Sequence, residues 1–441
     1  MAQPHPPLPY FTLVLIACFF ACCHSYAATN KDIEKPVRKI QIAIQLSYNS
    51  ERALFSSLIE RFNQKQPHSQ AIARYYRGDI SNKVHKWINQ KQGPDVIYWY
   101  SGKHIERLAA RDQLKDLSAV WQQYQLHKLF DHAHVSAVSY QDKPYAVPVS
   151  YYSWAFYYRA SSFEQFQLKP IDSWQNLIDN CKRMQQQGRH LIAMGNKSSW
   201  PLLAWFDYLD LRINGADFHK QLLSGQASWQ GPETKKILQR WLELINAGCF
   251  NLKEHRNYKV SSTLPFLYHR RAAMILAGGY VVGNLTPALK YDFRISAFPT
   301  IESTQPTYSI APIDSFVVPS YATLDSELAE LLQYLAEIDF QLHLNEPSSR
   351  LPANRYARLE LNNPLQSEAI VMLENSGSMQ FFSRESHPEL ALIIADALRD
   401  FLDHRNIEKC QQAMQAGFDK FKQQQPYYGL PGELPPLHEA Q

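Results

Sequence analysis

An alternation of strand and helix patterns between Ile40 and Tyr100 constrains the fold of this chain more than any other feature. Ile40–Leu46 alternates as a strand does, and Asn49 or Ser50 can cap a helix after it. That helix has one apolar face, formed by Leu54, Phe55, Leu58, Ile59 and Phe62. A strand, a helix and a third strand follow at Ala71–Tyr76, Lys83–Gln90 and Val96–Tyr100. Strands separated by helices predict an α/β fold with a parallel sheet and crossover helices.

The rest of the chain predicts a second α/β lobe. A chain of 441 residues is too long for one hydrophobic core, so two large domains are expected. An extended aromatic stretch, Ala146–Tyr158, interrupts the alternation. Further elements are then predicted from Ser173 and at Leu191–Met194, Glu233–Asn246, Ala272–Leu276, Arg294–Phe298, Leu328–Ile338, Ala369–Leu373 and Leu390–Leu402. Because no long linker interrupts the pattern, we expect strand crossings to join the lobes.

The N-terminal residues predict export. An apolar run from Tyr10 to Cys23 is too short to span a membrane, and the small-x-small site Ser25-Tyr26-Ala27 follows it. This layout is typical of a signal peptide over residues 1–27 and a periplasmic protein. Leu15-Ile16-Ala17-Cys18 also resembles a bacterial lipobox, so lipid anchoring through Cys18 is an alternative. A retained N-terminal anchor is a third.

Three cysteines remain after such processing: Cys181, Cys249 and Cys410. They contain no C-x-x-C pair and are too few for a disulfide scaffold or a zinc site. We expect three buried thiols. One bridge is the alternative in an oxidising compartment, and the spacing does not say which pair it would join.

Charge and motif content argue against nucleic-acid binding and against catalysis. The 45 basic and 41 acidic residues are spread evenly and leave a net charge of +4. The sequence has no G-x-S-x-G, H-E-x-x-H or G-x-x-x-x-G-K motif. His132-x-His134 lacks a third metal ligand nearby. Asp207 and Asp210 lie on one helix face, whereas glycosidase acid pairs usually come from separate elements. We therefore expect no enzyme activity, no cofactor and no metal.

Several short motifs occur in an order that resembles a known family. They are Leu58-Ile59-Glu60-Arg61-Phe62-Asn63, Gly93-Pro94-Asp95-Val96, Lys143-Pro144-Tyr145-Ala146-Val147-Pro148, Tyr157-Tyr158-Arg159, Lys169-Pro170-Ile171-Asp172-Ser173-Trp174, Ala272-Ala273-Met274-Ile275, Gly278-Gly279-Tyr280 and Phe298-Pro299. From about Ile40 to Phe382 this series resembles the extracellular solute-binding proteins of ABC importers, of the maltodextrin-binding type for sugars. The chain departs from that family at Gln113, where Gly is usual, at Arg270-Arg271, where Gly-Lys is common, and at Tyr280, where Trp is typical.

The resemblance implies a periplasmic-binding-protein fold, in which two α/β lobes with interleaved chain crossings close about a hinge. Residues 28–147 and 299–345 would form the first lobe. Residues 148–298 and 346–441 would form the second, with a helical C-terminal part. The implied partners are a ligand in the cleft and the transmembrane subunits of an ABC permease, and we expect a monomer.

The candidate ligand-binding residues lie at predicted strand ends and cleft loops. Sugars have apolar C–H faces and rims of hydroxyls, which suit aromatic rings and hydrogen-bonding side chains. The candidates are Tyr48, Trp99, Tyr100, Tyr152, Trp200, Gly279, Tyr280 and Asp314. Trp99 matches a family position that stacks on sugar, and Gly279 would let the backbone approach the ligand. Packing in a core is the alternative role of each aromatic residue.

The first functional hypothesis is a periplasmic binding protein that delivers an oligosaccharide to an ABC permease. The alternatives are a sensory protein of the same fold coupled to a membrane receptor kinase, and a protein for a non-sugar ligand such as ferric iron or a peptide. A secreted carbohydrate-active enzyme is the third alternative.

Overall fold

The computed structural model describes Met1 and residues 37–46, 49–77, 80–426 and 428. The predicted signal peptide and Cys18 lie outside these residues. The strands are β1 (Arg38–Gln45), β2 (Ser69–Tyr76), β3 (Val96–Tyr100), β4 (Ser139–Tyr140), β5 (Lys143–Pro144), β6 (Ala146–Tyr151), β7 (Trp154–Arg159), β8 (His190–Ile192), β9 (Ala272–Gly278), β10 (Phe293–Ser296), β11 (Tyr308–Ile310), β12 (Ile313–Val317), β13 (Leu351–Pro352) and β14 (Gly377–Met379).

Helices fill most of the intervening chain. They are α1 (Asn49–Lys65), α2 (Ser81–Gln90), α3 (Lys103–Ala109), α4 (Ser118–Gln123), α5 (His132–Ala137), α6 (Ala160–Gln165), α7 (Trp174–Gln186), α8 (Pro201–Ile213), α9 (Gly215–Leu223), α10 (Pro232–Asn246), α11 (Leu264–Tyr268), α12 (Pro287–Lys290), α13 (Ser326–Ala336), α14 (Ile338–Asn345), α15 (Pro364–Glu374), α16 (Phe382–Glu385), α17 (Pro388–His404) and α18 (Ile407–Gln424). Among the described residues, none of the helices is long and apolar enough to cross a membrane.

A six-stranded sheet organises the first part of the chain, in the order β13-β6-β12-β3-β1-β2. Strand β1 pairs in parallel with β2 and β3, as the strand–helix alternation predicts. Strand β12 returns late in the chain and pairs antiparallel with both β3 and β6. One hydrophobic core covers this sheet and includes Ile42, Phe55 and Phe316, all with no exposed surface.

A four-stranded sheet organises the second part, in the order β10-β7-β9-β8. Strand β7 pairs antiparallel with β9 and β10, while β8 is parallel to β9. A second large core packs on this sheet and extends into the C-terminal helices. The two sheets and their separate cores form a mixed α/β structure.

Most predicted elements are confirmed, and the differences have local causes. Ser173 caps α7 by accepting a hydrogen bond from the Asn176 backbone N–H at 3.3 Å. Strand β8 ends at Ile192 rather than at Met194. The Asn251 side chain binds both the N–H and the C=O of Met194, so this residue no longer pairs with a strand.

The crossing between the sheets lies between β6 and β7. The expected boundary at residues 147 and 148 falls inside β6, which lies entirely in the six-stranded sheet. Strand β13 also joins this sheet, although it falls in the expected range 346–441. The division into two lobes stays a proposal, and we place the first crossing at Tyr152-Ser153.

Cys181 and Cys249 form a disulfide bond, while Cys410 is a free buried thiol. The expectation of three buried thiols is therefore wrong. The bridge joins α7 to the turn after α10, and the Ile192 N–H of β8 hydrogen-bonds the Cys249 carbonyl at 2.9 Å. Tertiary packing beside β8 brings together two cysteines that are 68 residues apart in sequence.

The disulfide predicts a reductant-sensitive stability. The double variant Cys181→Ala/Cys249→Ala should lose about 2–5 kcal/mol of unfolding free energy, because the bridge restricts the unfolded chain over a long loop. Guanidinium denaturation with and without reductant measures the effect. Reductant should destabilise the wild type and leave the variant unchanged, and a wild type that is indifferent to reductant would contradict the bridge.

Candidate ligand-binding site

A cleft of about 430 Å³ lies between residues that follow strands of the two sheets. Gln45 at the end of β1 and Glu51 in the first turn of α1 line one side. Trp200, just before α8, and Tyr280, just after β9, line the other. Arg350, which precedes β13, also lines it. Ligands of α/β sheets bind in crevices at such carboxyl ends of strands, so this cleft is the candidate site.

The alternation of β3 decides which of its aromatic residues face the cleft side. Tyr98 and Tyr100 lie on one face of the strand, and Trp99 lies on the other. Trp99 is only 2% exposed and does not line the cleft. Its ring lies 5.3 Å from the Tyr100 ring and 6.0 Å from that of His104. This geometry gives Trp99 a packing role beneath Tyr100 and does not support the predicted stacking on sugar.

A cluster of five side chains, here called the cleft-floor cluster, consists of Tyr98, Tyr100, Asp314, Arg350 and Arg384, of which Arg350 lines the cleft. Asp314 lies opposite Tyr100 in the sheet register. Its Oδ2 accepts a hydrogen bond from the Tyr98 hydroxyl, and its Oδ1 accepts one from Arg384 Nη2, both at 2.9 Å. Arg350 Nη1 donates to the Tyr98 hydroxyl at 3.1 Å. These bonds offset the cost of burying a carboxylate that is 3% exposed.

The electrostatics of the cleft-floor cluster keep its arginines charged. Burial alone would lower the pKa of Arg384, but the Asp314 carboxylate and the Tyr152 and Tyr100 hydroxyls outweigh it and raise that pKa. The Arg384 guanidinium also lies 3.7 Å from the centre of the Tyr100 ring. Burial and the Asp314 carboxylate raise the pKa of Tyr98, so its hydroxyl stays protonated.

On the second side of the cleft, Trp200 and Tyr280 line the cleft and pack on Tyr152, Trp154 and Phe381, and these five residues are here called the aromatic wall. Trp154 stacks on Phe381 with ring centres 5.2 Å apart and meets Trp200 edge-on at 5.7 Å. Tyr152 meets Tyr280 edge-on at 5.6 Å. Trp200 is 37% exposed, so part of its ring is available to a ligand.

Two glycines allow the aromatic wall to form. A Cβ on Gly278 would lie 2.4 Å from Cε1 of Tyr280, so only glycine fits beneath that ring. A Cβ on Gly279 would lie 3.2 Å from the Tyr157 hydroxyl. Gly279 is buried and does not line the cleft, so the structure gives it close packing against Tyr157 and Tyr152 rather than a contact with ligand.

The structure brings most of the sequence-predicted residues together. Trp200 and Tyr280 line the cleft, while Tyr100 and Asp314 belong to the cleft-floor cluster. Tyr152 joins the aromatic wall to the cluster, with its ring 5.9 Å from the Arg350 guanidinium. Tyr48 lies outside the described residues.

Sequence reasoning missed Tyr98, Arg350 and Arg384. The parity of β3 could have indicated Tyr98, because it shares a strand face with Tyr100. The two arginines lie in short segments without a motif, and only tertiary structure brings them to Asp314.

The acidic pair Asp207 and Asp210 is buried away from the cleft. His219 Nδ1 hydrogen-bonds Asp210 Oδ2 at 2.8 Å, and its Nε2 lies 3.5 Å from Asp207 Oδ1. Asp207 Oδ2 accepts the backbone N–H of Phe382 at 2.9 Å. Burial raises the pKa of Asp207 to about 7. Burial acts to lower the pKa of His219, but the hydrogen bond to Asp210 and the negative charges of Asp207 and Asp210 outweigh it, so that pKa is raised. All three side chains have no exposed surface. Because Asp207 binds the Phe382 N–H, this cluster stabilises the N-terminus of α16.

A buried histidine, His104 of α3, contacts α16 next to the cleft-floor cluster. His104 Nε2 donates to the Ser383 carbonyl at 2.8 Å, next to Arg384. Burial, with the positive charges of Arg384 and Arg107, lowers the pKa of His104 to about 3. His104 is therefore neutral in the folded protein at neutral pH.

Neutral His104 predicts acid sensitivity. Its folded-state pKa lies below the ordinary value near 6.5, so the linked stability is complete above about pH 6.5 and is lost as the pH falls toward 3. His104→Gln keeps a donor for Ser383 but cannot titrate. From pH 7 to pH 5, the unfolding free energy of the wild type should fall by up to about 2 kcal/mol more than that of the variant. Denaturant titrations at both pH values measure this, and identical pH dependence would contradict it.

Comparisons with known proteins agree with this architecture. The family model described as "Bacterial extracellular solute-binding protein" matches residues 48–340. Two proteins of Pyrococcus horikoshii, both described as uncharacterized ABC transporter extracellular-binding proteins, are similar over most of their length. One is 20% identical over 348 residues, which cover 77% of each chain. The other is 23% identical over 358 residues, which cover 78% of this chain and 81% of the relative.

Solved structures show the same fold. The bacterial solute receptor AcbH, described as having an exclusive substrate preference for β-D-galactopyranose, has a TM-score of 0.79 at 22% identity, covering 87% of this chain and 98% of its own. A chitin oligosaccharide binding protein has a TM-score of 0.77 at 15% identity, covering 87% and 100%. Maltose-bound MalE3 of T. maritima has a TM-score of 0.70 at 16% identity, covering 87% and 100%.

These likenesses confirm the periplasmic-binding-protein fold that the sequence resemblance implied. The family model covers well over half of the chain, including β2 and β3 of the first sheet and all four strands of the second. The chain therefore belongs to the bacterial extracellular solute-binding protein family.

Proposed function

We propose that the protein captures a carbohydrate in the cleft and delivers it to the permease of an ABC importer, without catalysis. One observation carries the proposal. The same cleft presents the rings of Trp200 and Tyr280 and the polar side chains of Gln45, Glu51 and Arg350. Aromatic faces suit the C–H surfaces of sugars, and amide, carboxylate and guanidinium groups suit their hydroxyls. The sugars named for AcbH and the chitin oligosaccharide binding protein support this ligand class.

Binding would work by closing the two lobes. Gln45 and Glu51 come from the first sheet side, whereas Trp200 and Tyr280 come from the second. A ligand that contacts both sides binds the closed form better than the open one and therefore shifts the population toward closure. The permease would then recognise the closed protein.

The family and the disulfide bond both support export to the periplasm. Proteins of this family are extracellular. The Cys181–Cys249 bridge is also of a kind that persists in oxidising compartments. Cleavage of residues 1–27, with lipid anchoring at Cys18 as the alternative, and a monomeric state complete the proposal.

Trp200→Ala provides the test of this function. In a thermal-shift screen of mono- and oligosaccharides, a ligand at 100 times its dissociation constant should add about 2.7 kcal/mol to the unfolding free energy of the wild type. For the best ligand, the Trp200→Ala variant should bind about 1–3 kcal/mol more weakly in calorimetry, because the ring that lines the cleft is lost.

Tyr356→Ala is the matched control, since Tyr356 is also a partly exposed aromatic residue but does not line the cleft. It should keep wild-type affinity. If no carbohydrate in a broad screen stabilises the protein, the proposed ligand class is wrong. Turnover of a bound oligosaccharide would contradict the absence of catalysis.

A further inference from the structure

The charged side chains of the cleft are not balanced among the described residues. Glu51, Lys259 and Arg350 line it. The cleft-floor cluster adds Asp314 and Arg384, which gives three cations and two carboxylates. The arrangement of the hydrogen bonds determines which cation is available to a ligand.

Asp314 is already used on both of its oxygens. Arg384 Nη2 occupies Oδ1, and the Tyr98 hydroxyl occupies Oδ2. Arg350 reaches this carboxylate only through the Tyr98 hydroxyl. Among the described residues, Arg350 and Lys259 both line the cleft without forming an ion pair, and of the two Arg350 presents a planar guanidinium. The cleft therefore contains the guanidinium of Arg350, while both oxygens of the nearby Asp314 carboxylate bind Tyr98 and Arg384 instead.

Arg350, which lines the cleft, also keeps one buried N–H group, Nε, without a hydrogen-bond partner among the described residues. A guanidinium has five N–H donors and cannot lose its proton in a protein. A buried donor without an acceptor destabilises the folded state, so an acceptor supplied by a ligand would be favourable.

The geometry of a guanidinium determines which acceptor group binds it best. A planar carboxylate matches its fork of donors in a bidentate way, and such charge-assisted bonds are stronger than bonds to a neutral hydroxyl. Burial acts to lower the pKa of Arg350, but Tyr98, Asp314 and Glu51 outweigh this and raise it. Glu51 also lines the cleft and has contacts of its own.

We propose that the ligand is an acidic carbohydrate, a sugar or oligosaccharide bearing a uronic acid carboxylate, which Arg350 binds while Trp200 and Tyr280 contact the sugar ring. This inference rests on the proposed function and narrows its ligand class. Arg384 is a positioning residue here. By holding Asp314 and stacking on Tyr100, it leaves Arg350 free to face the ligand.

Calorimetry with matched sugars tests the inference. The probes are galacturonate and glucuronate with their di- and trisaccharides, the methyl esters of these acids, the corresponding neutral sugars, and tartrate as a carboxylate without a sugar ring. For the wild type, the best uronate should bind about 30-fold or more tightly than its neutral counterpart and its methyl ester. In Arg350→Gln this preference should collapse, whereas Arg350→Lys should keep part of it because the charge remains.

Arg294→Gln is the matched control, because Arg294 of β10 pairs with Glu368 of α15 and does not line the cleft. It should keep the wild-type preference, and all variants must melt cooperatively. A neutral sugar that binds as tightly as its uronate would overturn this inference and leave the proposed function standing. An equal loss of affinity for both sugars in Arg350→Gln would also overturn it. Tartrate binding as tightly as the uronates, or binding by no sugar at all, would contradict both proposals.

Discussion

The cleft depends on a single buried carboxylate. Asp314 lies in the six-stranded sheet, and it binds Tyr98 of the neighbouring strand and Arg384 of α16. Phe382, at the start of α16, belongs to the core of the second sheet. One acidic group thus compensates a buried guanidinium and also ties the first sheet to a helix of the second core. Removing one partner of such a pair leaves an uncompensated buried charge, which is strongly destabilising.

The sequence carries enough information to predict the general place of the site. Parallel strands connected by helices have their carboxyl ends at one edge, so residues just after strands lie near one another. By this rule Tyr100, Tyr152, Trp200 and Tyr280 are expected near one another, and the structure has Trp200 and Tyr280 lining the cleft with Tyr152 packed against Tyr280. The rule depends only on periodicity and chain order, which a single sequence shows.

The remaining features depend on tertiary packing or on side-chain parity. Trp99 follows the same rule as Tyr100, but it lies on the opposite face of β3 and is buried. Arg350 and Arg384 come from segments that carry no local pattern, and their role appears only when they meet Tyr98 and Asp314. The Cys181–Cys249 bridge is of the same kind, because packing beside β8 determines which cysteines meet.

We propose a binding protein in which Trp200 and Tyr280 contact the apolar face of a carbohydrate, while Gln45, Glu51 and Arg350 bind its polar groups. A crystal structure of the protein with the sugar that binds most tightly in calorimetry tests this claim most directly. We expect electron density for the sugar in the cleft, against Trp200 and Tyr280 and within hydrogen-bond distance of Arg350. Density for the sugar elsewhere, for example in the separate hollow beside Tyr291, with the cleft occupied only by water, would contradict it.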